Sequence, residues 1–469
     1  MPSSAPSSEH SPTPAPRRRH LLSYGGGSMA MAPYFLISGS FLLYATAILG
    51  VPPEIAGMIM AASTLWDAAI DIPLGWWSDR MRSRRFGRRH PFLIVGGLAT
   101  AALTAVLWSI PQEMGPTATI AWLAISVIGL KTAIAAFVVP HTALGGEIAD
   151  DYDGRMVAQG YRGAFQLIGM ILALVGSNVF FFRPTAEYAQ GQLNPHAYAP
   201  MGFACAALAL AATLWTVLGT RSFIPKLQAT ELGHDSLRAQ FGGFLRDADL
   251  RALLLMILAI ELPFQLVITL GGHLNTYTYG MSGPQMGALA LAVLLSAALS
   301  QPLWVHVSRR YDKKPALLAA VVLAMLGFVG GPLTHVAWGW FPLAPARDAV
   351  WTLMPFQILA GIGVGAFSSL PYSMVNDCAR VRERRTGRSV TGGYTGMYIF
   401  AYKLGSGLSI AASGWLLRII GFDAALPAQN EHTRYWLAVA PALLLFVGMP
   451  AVFWALRGYR LSRADFGSA

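Results

Sequence analysis

The sequence predicts an all-α membrane protein of twelve transmembrane helices, arranged as two pseudo-symmetric six-helix bundles with both termini in the cytoplasm. Three observations predict it. Hydrophobic residues make up 54% of the 469-residue chain and charged residues only 12%, where a soluble domain carries roughly 25% charged. Twelve apolar segments, centred near residues 38, 65, 100, 130, 170, 210, 265, 296, 325, 361, 405 and 445, each approach the roughly 20 residues needed to cross a bilayer. Landmarks of the first half recur in the second at one offset: Trp76 answers to Trp304, Pro140 to Pro371 and Glu147 to Asp377, which are 228, 231 and 230 residues apart. A shared offset near half the chain length points to a duplicated six-helix unit.

Orientation follows from the basic residues. Of 34 Lys and Arg, 27 fall in the two tails and the even-to-odd loops, three (Arg183, Arg347, Arg434) in the opposite loops and four (Lys131, Arg162, Lys403, Arg418) within spans. The net charge of +11 is therefore a topology signal; the basic residues form no stripe that would bind nucleic acid. Residues 1–22 lack the apolar core of a cleaved signal peptide and are expected to be a cytoplasmic tail. The bundles are expected over 23–220 and 251–457, with a connector at 221–250 and a second tail at 458–469. Two cysteines suit neither a disulfide framework nor a zinc site. No cofactor is expected, and the partners are the lipid bilayer and a small-molecule solute.

Within segment 2 stand Asp67 and Asp71. An acid inside an apolar span costs several kcal/mol, roughly, so it needs a use. At i, i+4 both carboxylates share a face about 6 Å apart, and two like charges there call for a cation between them. Counting about 1.5 Å per residue from the start of the segment puts Asp67 about 21 Å deep, level with Lys131 of segment 4, while Lys403 of segment 11 approaches from the cytoplasmic side. Ionisable groups converging at mid-bilayer are what a symporter keeps. The blander alternative is an acid neutralised by Lys403 only to hold the halves together. Lys131 has two readings: an ammonium beside Asp67 and Asp71 that stands where Na+ would bind, or a snorkelling side chain. Glu261 is a second proton carrier or a polar helix partner. Tyr34, Gln166, Gln265, His273, Asn275, Gln301, Trp304 and Tyr398 are candidates for the cavity wall. At the cytoplasmic ends, Asp79 with Arg80, Arg84 and Arg85, Glu147 with Arg155, and Asp377 with Arg388 are candidates for a gate of ion pairs.

The order WDAAIDIP, SDRMRSRRFGRRHPF, VVPHTALGGEIADDYDGR, YRGAF, DCARVRERRTGRSVTGG and YKLGSGL resembles the glycoside-pentoside-hexuronide:cation symporters, the melibiose-permease branch of the major facilitator superfamily, over roughly residues 22 to 460. The resemblance implies the major facilitator fold, alternating access and a bacterial inner-membrane location for a single working chain. It also implies that Asp67 and Asp71 bind Na+, Li+ or H+, that Lys403 is the helix 11 lysine facing them, and that Arg162 lies near the sugar site. Ala32 and Val138 stand where melibiose-type members place sugar-binding aspartates, so galactoside specificity does not carry over. The expected activity is cation-coupled symport of a sugar, glycoside or other small polar solute. The alternatives are an anionic amphiphile such as a lysolipid or a sugar acid on the same scaffold, and a non-transporting sensor or assembly factor.

Overall fold

The computed structural model describes residues 18–81, 83, 85–111, 114–148, 152–224, 247–337, 346–367, 369–386, 391–426 and 428–466. Twelve long helical segments account for nearly all of them: α1 Arg18–Ile48, α2 Pro53–Arg80, α3 His90–Trp108, α4 Pro116–Ile148, α5 Gly154–Phe181, α6 Pro195–Phe223, α7 Ala248–Thr278, α8 Gly283–Tyr311, α9 Lys313–Ala337, α10 in two stretches, Ala346–Phe367 and Leu370–Thr386, α11 Thr391–Ile419 and α12 Glu431–Arg457. Each expected segment centre falls inside one of them. Eleven are long and apolar enough to cross a bilayer. The remaining one, α11, is 29 residues long but carries Lys403, Arg418 and a run of Gly and Ser. It can afford them because it packs against α2 and α7 rather than lying alone in lipid. Proline opens α2, α4 and α6 and stands second in α3 and α8, where its missing N–H costs no helix bond.

The duplication is visible in the backbone. Helix α1 widens into π turns over Tyr44–Ile48 and α7 over Leu274–Thr278. Each then turns sharply at a glycine with positive φ, Gly50 at 65° and Gly280 at 63°, a conformation that glycine adopts without a Cβ clash. The closing bonds match too: Val51 N donates to Ala45 O and Met281 N to Asn275 O, both at 2.9 Å.

Helix boundaries differ from the sequence expectation at both tails. The first helix begins at Arg18 rather than 23, because His20 and Leu21 pack onto the bundle, His20 edge-on to Phe223. Beyond Arg457 the chain stays attached: Lys314 Nζ donates to Tyr459 O at 2.9 Å, and the Arg463 guanidinium donates to Arg309 O at 2.7 Å. Most of the expected connector, 225–246, lies outside the described residues.

The apolar cores show how the halves meet. At the end where both termini lie, the end rich in basic loops, each half has its own core. Leu21, Tyr24, Leu93, Phe137 and Leu144 belong to the first half, and Leu253, Trp304, Leu317, Met374 and Leu456 to the second. At the opposite end a single core is shared, Leu36, Phe41, Trp108 and Leu130 packing with Leu266, Leu270, Ile410 and Leu417. Among the described residues the two bundles thus share a core at one end and have separate cores at the basic end.

Candidate functional site

The polar centre is built on the contact between α2 and α11, and small residues make that contact close. A Cβ placed on Gly414 would come within 2.3 Å of Pro53 O and 3.0 Å of Gly57 Cα, so the two backbones nearly touch at the end away from the basic loops. Three turns further in, α11 delivers Lys403 to the acid face of α2. Its Nζ lies 2.9 Å from Asp67 Oδ2 and 2.6 Å from Asp71 Oδ2. The Asp67 side chain is 8% exposed and that of Asp71 31%, so Asp71 is the member of the pair that water reaches. One ammonium therefore bridges two carboxylates across the boundary between the halves.

Lys131, 2% exposed, is on the same level but is held differently. Its Nζ donates to Thr64 Oγ1 at 3.3 Å and stands 4.7 Å from the centre of the Tyr34 ring, a cation–π contact. The lysine that stands against both aspartates is Lys403; Lys131, expected beside them, sits one helical turn away, at Thr64. Trp66 is fixed beside the site by its indole N–H, which donates to Thr132 Oγ1 at 2.8 Å.

The remaining candidates divide. Glu261 is buried at 5% exposure with Oε2 lacking a hydrogen-bond partner, and its Cβ packs against Gly405 of α11. Arg162 is retained within the first half, donating to Gln159 Oε1 at 2.7 Å and Thr142 Oγ1 at 3.3 Å. Gln166 and Gln265 are half-buried, the Gln265 amide 3.5 Å from Thr269 Oγ1, and Gln301 is exposed. Trp304 and Tyr398 are not on a cavity wall. Trp304 is 3% exposed with its indole N–H donating to Ile362 O at 2.6 Å, and Tyr398, 2% exposed, stacks edge-on with Tyr372 in the second core. Their apolar area is worth more inside a packed core than facing water. His273 is also interior, its Nε2 2.8 Å from Thr46 Oγ1 of the other half.

Among the described residues, the charged pairs at the basic end close within each half. Arg89 spans Asp79 at 2.5 Å and Glu147 at 2.7 Å, and Arg88 joins Glu147 at 2.7 Å, in place of the expected Glu147–Arg155 pairing. Arg155 is exposed on α5. In the second half Lys313 pairs with Asp377. Arg80 lies over the Trp76 ring and Arg85 over Phe86; Arg84 and Arg388 lie outside the described residues. By contrast, the polar bonds that cross between halves among the described residues sit at the level of Lys403 or beyond it toward the fused end. They are Lys403 with the two aspartates, Arg418 with Glu54 at 2.5 Å, Thr46 with His273, and Gln192, whose amide donates to Thr276 Oγ1 at 3.0 Å and to Met281 O at 2.8 Å. Among the described residues, polar bonds join the halves at and beyond the site and none joins them toward the basic end.

A model of the MFS/sugar transport protein family matches residues 23–463. The chain belongs to this family. It is a multi-pass membrane transporter of the symporter type and not an enzyme. Over 91% of its length it is 25% identical to an uncharacterized symporter, sll1374, of Synechocystis, of which 92% is covered. It is 24% identical to the inner membrane symporter YicJ of Escherichia coli over 92% of this chain and 88% of that one. To the sodium-dependent lysophosphatidylcholine symporter 1 of Xenopus tropicalis it is also 24% identical, over 94% of this chain and 88% of the relative. The fold matches a bacterial homologue of the human lysosomal transporter Spinster in its inward-facing, unoccupied form, with a TM-score of 0.67 at 14% identity, covering 96% and 98% of the two chains. It also matches the nucleoside transporter NupG, at a TM-score of 0.66 and 12% identity, covering 95% of this chain and 100% of that one.

Proposed function

We propose that the protein takes up a sugar, glycoside or related small polar solute together with H+ or Na+, using Asp67 and Asp71 as the cation site and Lys403 as the group that competes with the cation. The observation that carries this is the single Lys403 ammonium shared by both carboxylates. A cation arriving at Asp71 has to displace that ammonium, and displacement breaks an ion pair between α11 and α2, so that ion chemistry and the contact between halves share a bond here. Loading the cation therefore changes which arrangement of the halves is favoured, as coupling requires. With the basic end in the cytoplasm, the conformation is inward-facing and the membrane is the bacterial inner membrane, as the name of the YicJ relative has it. The chain works as one polypeptide, and Arg162 with the half-buried Gln166 and Gln265 supplies polar groups between the halves.

An anionic amphiphile is the second reading, favoured by the likeness to the lysophosphatidylcholine symporter and by the cations Lys131, Arg162 and Lys403. Uptake into proteoliposomes of labelled hexosides, pentosides, uronates and lysolipids, under imposed pH or Na+ gradients, tests the proposal. Gradient-driven accumulation of a sugar supports it; accumulation of lysolipids alone replaces the cargo, and no flux of any of them under either gradient overturns it.

A further inference from the structure

Besides the site just described, the first half buries a positive charge that the transport cycle does not call on. Lys131 is 2% exposed, and among the described residues no carboxylate is within ion-pair distance of its Nζ. A buried ammonium without a direct partner needs a compensating charge nearby. Asp67 and Asp71 present two carboxyl groups to one directly bonded ammonium, that of Lys403. Lys131 lies within electrostatic reach of both and completes a set of two acids and two bases.

The same lysine engages an oxygen that a metal ion at the pair could use. Thr64 is one turn from Asp67 on α2, and its hydroxyl is used in both directions: it donates to Met60 O at 2.9 Å and accepts from Lys131 at 3.3 Å. Between the acids stand Ala68, Ala69 and Ile70, which bring no side-chain oxygen. A hard metal cation is held by several oxygens; among the described side chains of this face the two carboxylates and Ser63 Oγ, which donates to Met60 O at 2.7 Å, remain, while Thr64 is shared with Lys131.

We infer that Lys131 is a built-in counter-ion that bars alkali-metal ions, Na+ and Li+, from the Asp67–Asp71 pair. It does so by occupying Thr64 and by keeping a fixed positive charge one helical turn from Asp67. This rests on the reading of the two aspartates as the cation site and specifies which cations that site refuses. At about 6 Å and an effective dielectric of about 20, the repulsion weakens alkali binding on the order of a hundredfold.

The test is binding, and it needs no knowledge of the cargo. The purified full chain in nanodiscs is titrated with NaCl and LiCl against choline chloride at constant ionic strength, following thermal unfolding and tryptophan fluorescence. The wild type and Lys131→Arg are expected to show no response specific to Na+ or Li+. Lys131→Gln and Lys131→Met are expected to gain one at roughly a hundredfold lower salt than any seen in the wild type, and to lose it again when Asp67→Asn is added. A wild-type response to Na+ that Asp67→Asn abolishes overturns the inference and leaves the proposed symport intact. So does a folded Lys131→Gln or Lys131→Met that stays as insensitive as the wild type. Should both of those variants fail to fold, the wild-type titration alone decides. The proposed symport fails on a different observation, uphill transport that survives loss of both aspartates.

Discussion

Lys403 Nζ lies 2.9 Å from Asp67 Oδ2, so an ammonium of the second half is bonded to a buried carboxylate of the first at the level where the two bundles stop touching. Replacing Lys403 by alanine leaves that carboxylate without its direct partner, at a cost of about 3–5 kcal/mol. Lys403→Ala is expected to unfold at lower temperature than the wild type and to lose coupling. The conservative Lys403→Arg is expected to keep most of the stability, and comparing thermal melts of the two variants checks this.

The approach of Gly57 to Gly414 holds the fused end shut. A side chain at Gly414 collides with Pro53 O, a backbone atom that cannot step aside as a side chain would. Gly414→Val is expected to part α2 and α11 at that end and shift the protein toward the opposite opening. Distances between spin labels at the ends of the two helices should lengthen; an unchanged distribution would show that the crossing does not set the conformation.

Thr46 and His273 form a second bond across the same end. Thr46→Val removes a buried bond worth about 1 kcal/mol, which corresponds to roughly a fivefold change in the ratio of the two conformers. The same labels read this smaller shift, and its direction should match that of Gly414→Val.

At the basic end the two charged clusters predict unequal effects. Arg89, with its side chain 6% exposed, serves Asp79, Glu147 and the Ser78 hydroxyl together, whereas the Lys313 side chain is 31% exposed and pairs with Asp377. Arg89→Ala is expected to destabilise the chain by about 3–5 kcal/mol, and Lys313→Ala by about 1 kcal/mol or less. Thermal or denaturant unfolding of the two variants measures the difference.

Much of this was legible in the chain. The twelve spans could be read because crossing a bilayer fixes both the length and the apolarity of a helix. The acid pair with Lys403 stood out because charge in a span is too costly to be incidental. Which ammonium would reach the aspartates was not legible: depth along a helix follows from counting residues, but lateral distance depends on how closely helices cross. The glycines at 57 and 414 that set the α2–α11 crossing gave no reason beforehand to be paired. Trp304 and Tyr398 were misplaced for a related cause, since aromatic residues suit a wet wall and a dry core alike. The turns at Gly50 and Gly280 did leave a signal that went unread, a glycine followed by proline and then by a second glycine seven residues on, present in both halves.

The central claim is that Asp67 and Asp71 tie the movement of the cargo to that of a cation. The direct measurement compares accumulation of the accepted cargo in proteoliposomes, under an imposed cation gradient, between the wild type and a variant with both aspartates changed to asparagine. The variant is expected to equilibrate its cargo across the membrane without concentrating it. Concentration to the wild-type level by that variant would contradict the account.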